Sequence, residues 1–82
     1  MNAALERRYG HAARMTASEI LKVADARIDY ATLGLDASDP RTRRAYYDRR
    51  LRRWIVEVDT DPVISYEAHK ADDGTIRLER LL

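Results

Sequence analysis

Seven arginines stand between residues 40 and 54, interleaved with Tyr46, Tyr47 and the single tryptophan, Trp54, and only Asp48 opposes them in sign. Guanidinium forks hold phosphates or guanine edges through paired hydrogen bonds, and a tyrosine beside them can donate to phosphate or stack. Arg43, Arg44, Tyr46, Arg49, Arg50 and Arg53 are therefore the candidate nucleic-acid contacts. Four to six phosphate contacts would give a log–log salt slope of roughly −4 to −5. The same groups suit an acidic protein surface, because arginine and tyrosine are both enriched at interface hot spots. The bland alternative is a solvated face paired with Asp36, Asp48, Glu57 and Asp59, which is what most exposed charge runs are.

Other chemistry is thinly represented. There is no cysteine nucleophile, and Ser18, Ser38 and Ser65 have capping or strand roles open to them. The three glycines lie too far apart for a phosphate-cradling loop. Glu6, Glu19, Glu57, Glu67 and Glu79 form no isolated carboxylate pair suited to proton transfer. His11 and His69 lack a partner at metal-binding spacing. Asp59-Thr60-Asp61 and Asp72-Asp73 lack the remaining ligands of a calcium loop and read as turn chemistry. The expectation is a protein that is not an enzyme, with no catalytic residues, no metal and no cofactor.

These groups sit in a chain of 82 residues, read as one small domain over 1–82. A chain of this size buries roughly 60–65% of its unfolded surface, so its stability is marginal. Without cysteine or phenylalanine, its core must come from Leu, Ile, Val, Tyr and Trp. No apolar run reaches the ~18–20 residues of a membrane helix, and the first residues lack a signal peptide's apolar region. A cytoplasmic protein without a membrane partner is expected. The net charge of +1 is uninformative, but its distribution is not, since acids flank the arginine run at Asp36, Asp39, Glu57, Asp59 and Asp61.

Spacing supplies the elements. Residues 2–13 read as a short helix weakened by Gly10. Thr16-Ala-Ser-Glu19 is a capping box before the apolar period Ile20, Leu21, Ala24, Ile28, Ala31, and Gly34 is a left-handed stop. A helix over 16–33 follows. Ser38 or Asp39 can cap a third helix, 40–54, with Pro40 in its first turn. Tyr47, Leu51, Trp54 or Ile55, and Val58 form its apolar stripe, leaving the candidate contacts on the wet side. Residues 54–58 alternate and are β-branched, which favours a strand after about residue 55. Residues 63–69 and 75–81 alternate around a loop, 70–74, that ends in Gly74, and predict a hairpin.

The predicted fold class is α+β, with three helices followed by a C-terminal antiparallel hairpin or three-stranded meander. In element order this resembles a winged helix-turn-helix domain, with 16–33 as support, 40–54 as reader and 70–74 as wing tip. That wing tip carries Asp72 and Asp73, which repel phosphate. The leading expectation is a small DNA-binding regulatory protein that uses the Arg/Tyr-rich helix 40–54, for which a homodimer would supply useful affinity from so small a surface. The alternative is a protein-interaction module, such as a phage- or mobile-element-encoded inhibitor or adaptor that docks on a larger host or virion component.

Overall fold

The computed structural model describes residues 15–81. In chain order these are helix α1 (Ala17–Arg27), a single 3-10 turn (Pro40–Thr42), and strands β1 (Arg43–Asp48), β2 (Arg53–Val58), β3 (Ile64–Lys70) and β4 (Ile76–Leu81). The strands form one antiparallel sheet in the order β1-β2-β3-β4, so each pairs with its sequence neighbour. Among the described residues the α+β class holds, but they form one helix and a four-stranded meander, with strands where the third helix was expected. The predicted helix 2–13 lies outside the described residues.

The expected helix 16–33 is real but ends early. Thr16 caps it, its Oγ1 accepting from the Glu19 amide at 3.2 Å. Ile28 then turns extended, at φ −96° and ψ 125°. Asp29 starts a separate turn by accepting from the Thr32 amide and hydroxyl. Gly34 is left-handed, at φ 78°, yet it closes this second turn rather than α1.

The predicted helix 40–54 is instead a β-hairpin. Its start signal was genuine, because Asp39 accepts from the Arg41 amide and Pro40 occupies the first turn. One turn is all that forms. The Thr42 carbonyl accepts from the Asp59 amide at 2.8 Å, and Arg43 is extended at φ −152°, ψ 157°. β1 and β2 pair Tyr47 with Trp54 and Asp48 with Arg53. The Tyr47–Trp54 spacing of seven thus suits a cross-strand pair as well as two helical turns. The two rings meet edge-on at 5.7 Å, a contact worth about 1 kcal/mol beyond its area. Without a reader helix, the winged-helix arrangement is not what this sequence builds.

Residues 54–58 are strand, and the β3–β4 hairpin stands where the alternation placed it. Its turn closes through Ala71 N to Thr75 O at 2.8 Å and Gly74 N to Ala71 O at 2.9 Å, with Gly74 at φ 90°. Strand parity then gives the sheet two unlike faces. The inner face carries Ala45, Trp54, Val56, Tyr66, Ala68, Ile76 and Leu78, packed with Met15, Ile20, Val23, Ala24 and Ile28. The outer face carries Arg44, Tyr46 and Asp48, then Arg53, Ile55 and Glu57, Ser65, Glu67 and His69, and Arg77, Glu79 and Leu81.

Candidate nucleic-acid interface

The six candidate residues do not share a helical face, and the hairpin sorts them into three environments. Arg43 is on the inner side of β1. Its Nε and Nη2 bind the two Asp25 carboxylate oxygens, each at 3.1 Å. Its Nη1 donates to Ala37 O, Asp39 O and Thr42 Oγ1. The guanidinium also lies 4.8 Å from the centre of the Tyr30 ring, whose hydroxyl donates to Asp25 Oδ1 at 2.7 Å. This side chain is only 14% exposed. It joins α1, the 30–39 loop and β1 through most of its donors, so its first role is in the fold. The bond to Asp25 raises its pKa further above its ordinary value.

Arg44, Tyr46 and Arg53 point to the outer face, where glutamates engage them. Arg44 Nε binds Glu57 Oε1 at 2.9 Å, and the Tyr46 hydroxyl donates to Glu57 Oε2 at 3.0 Å. Partial burial, then that bond and the Glu57 charge, push the Tyr46 pKa up. Arg53 Nη1 donates to Glu67 Oε1 at 3.1 Å. His69 Nε2 lies 3.3 Å from Glu79 Oε2 and 3.7 Å from Glu67 Oε1, without a hydrogen-bonding geometry to either. The face is a mosaic of compensated charge.

The third environment is the turn between β1 and β2, residues 49–52, which holds Arg49, Arg50, Leu51 and Arg52. Asp48 organises it: its Oδ1 accepts from the Arg50 amide at 2.9 Å and the Leu51 amide at 3.0 Å. Arg52 completes it at φ 55°, a left-handed conformation that glycine or asparagine adopts at lower cost. All four turn residues are exposed. Leu51, expected in the core, projects at the tip with 53% of its surface in solvent. Sequence reasoning left Arg52 out of the candidate set. Asp48, followed by four residues with no apolar period of their own, was the available signal for a turn.

Behind the tip, Arg52, Arg53, Lys70, Trp54, Glu67 and His69 line a shallow recess of about 140 Å³. At the opposite end of the strands a recess of about 1030 Å³ is lined by Leu33, Leu35, Val63, Ile64 and Leu81, with Asp59 and Asp61 beside it. Arg80 lines it too, and the arginine tip and this recess occupy opposite ends of the sheet. Among the described residues, no group of three His, Asp or Glu side chains could hold a metal ion. No described helix is long and apolar enough to cross a membrane.

Comparison with protein-family models, curated proteins and solved structures finds no match for this chain.

Proposed function

We propose that this is a small non-enzymatic DNA-binding protein that contacts the duplex with the β1–β2 hairpin tip rather than with a helix. One observation carries the reading. The turn concentrates Arg49, Arg50 and Arg52 around an exposed leucine, and the last arginine holds a backbone position that favours glycine. An unfavourable conformation kept at an exposed tip points toward function. A two-stranded ribbon fits the major groove, about 12 Å wide, so its tip can set guanidinium groups against phosphates on both sides. Leu51 would lie against sugars or a thymine methyl. Arg44, Tyr46 and Arg53 are secondary contacts, since each would first have to leave its glutamate.

The test is anisotropy of a labelled mixed-sequence duplex at ~50 and ~200 mM salt. Three to five phosphate contacts give a slope of roughly −3 to −5, so affinity should fall by more than tenfold across this range. Arg49→Ala and Arg50→Ala should each weaken binding to all sequences alike and reduce the slope by about 1. Absence of binding at ~100 μM protein in the low-salt buffer would sink the proposal. The second reading would then apply, in which Leu51 anchors the tip on an acidic protein surface and its arginines surround that anchor.

A further inference from the structure

β4 is the last strand of the sheet, and no described strand lies beyond it. The bond from Ala71 N to Thr75 O fixes the phase of its ladder with β3. Hydrogen-bonded and non-hydrogen-bonded pairs alternate from there, so Arg77, Glu79 and Leu81 turn their backbone groups toward β3. The amides and carbonyls of Ile76, Leu78 and Arg80 face away from β3, toward the edge beyond which no described strand lies. On the outer face Arg77 and Glu79 lie one pleat apart, and Glu79 sits directly opposite Glu67. Like charges in that position oppose each other. Arg53 engages Glu67, whereas the Glu79 side chain is 73% exposed.

We propose that two copies of this chain associate edge to edge through β4, antiparallel about a two-fold axis at Leu78, joining their sheets into one. In this register Leu78 faces the partner's Leu78, and Ile76 and Arg80 face the partner's Arg80 and Ile76. Each of these pairings exchanges two backbone hydrogen bonds, so every outward-facing group of Ile76, Leu78 and Arg80 is used. Arg77 then stands directly opposite the partner's Glu79, twice by symmetry, in the closer non-hydrogen-bonded pairing. The added arginine relieves the Glu79–Glu67 opposition. Sliding by one pleat in either direction loses a pairing and sets Arg77 against Arg77 or Glu79 against Glu79. Such a slide is therefore disfavoured both by charge and by bonding.

The other edge does not offer the same coincidence. The Asp59 N to Thr42 O bond leaves Arg43, Ala45 and Tyr47 facing outward on β1. Its best-bonded self-pairing, centred on Ala45, sets Arg44 against Tyr46 and Arg43 against Tyr47, with no opposite charges matched. Arg44 is also engaged by Glu57, and Arg43 by Asp25. The β4 assignment does not depend on what the arginine tip binds.

The test uses the full chain in sedimentation equilibrium up to ~200 μM, with a doubled mass expected. Arg77→Glu should raise the dissociation constant roughly tenfold or more, since two attractive cross-strand pairs become repulsive. Combining it with Glu79→Arg should restore the wild-type value. The chain has no cysteine, so a register trap is clean. Arg77→Cys and Glu79→Cys proteins, mixed under mild oxidant, should form a covalent dimer that neither forms alone. A wild-type monomer at ~200 μM would overturn the proposal. So would Arg77→Cys protein cross-linking to itself as readily as in the mixture, or a charge reversal that leaves association unchanged.

Discussion

Arg43 shows how little a residue's type says about its role. Seven arginines look alike in the sequence, yet this one holds Asp25, three other oxygens and the Tyr30 ring. Arg43→Ala should cost about 2 kcal/mol in urea unfolding, because it strips Asp25 of its paired guanidinium, leaving it the Tyr30 hydroxyl, and leaves the Ala37 carbonyl without its donor. Arg43→Lys should recover little of that, since an ammonium cannot reproduce the fork. Tyr30 in the same cluster is 3% exposed. Burial, then its bond to Asp25 and that carboxylate's charge, raise its pKa well above the ordinary value of 10.0. A raised pKa means that the folded state holds the proton after the unfolded chain has released it. The associated stability is present below about pH 10 and is lost as pH rises beyond it. Tyr30→Phe should therefore show a smaller drop in urea midpoint between pH 8 and about pH 10.5 than the wild type. Arg52 behaves oppositely in stability. Arg52→Gly relieves about 1 kcal/mol of left-handed strain but adds 0.5–1 kcal/mol of unfolded-chain entropy. If the tip binds duplex as proposed, affinity should fall by more than the change in stability, a contrast that separates binding from folding.

Among the elements, Ile20 on α1 is fully buried against the inner face. Ile20→Ala should cost about 3 kcal/mol, from lost transfer energy and the cavity left behind. The legibility of each element follows from how it is punctuated. Thr16 and Glu19 announced α1, and Gly74 with the alternation on either side of it announced the β3–β4 hairpin. The β1–β2 hairpin has no glycine, proline or asparagine in its turn, and its outer face is lined by long polar chains instead of a clean apolar alternation. The Asp39 and Pro40 start signal, together with a period of seven, then favoured a helix. What decided otherwise was non-local: the Asp59 amide captures the Thr42 carbonyl, and β3 offers Val56 and Trp54 a surface to pair beside. The early end of α1 has a similar cause, because Tyr30 is drawn in to Asp25 and Arg43 and cannot remain on a straight helix. The candidate site was legible as a basic stretch, but not as a tip, a compensated face and a structural anchor.

Across the whole molecule, the net charge of +1 gives little long-range pull on a polyanion, so the proposed duplex binding would depend on local arrangement. Arg49, Arg50 and Arg52 cluster at one end of the strands, and Asp59 and Asp61 stand at the other, beside Arg80. Acid should loosen the loops before the sheet. Asp29, Asp36, Asp39 and Asp73 have lowered pKa values, through bonds to Thr32, Ser38, Arg41 and Thr75. Their contribution is present above the ordinary carboxylate value and is lost as pH falls through the lowered ones. Amide protection factors in 28–39 and 71–75 should fall below about pH 4 while β2 and β3 remain protected. The meander order also has a kinetic meaning. Each strand is closed onto its neighbour by a short loop, so the sheet can zip from local hairpins without an early long-range search. The distant contacts, such as those joining Ile20 to Ile76, are made only when α1 docks. Ile20→Ala should therefore speed unfolding by far more than it slows folding. In stopped-flow kinetics the helix would act as the latch on a sheet that forms first, and that latch would set the lifetime of the native state.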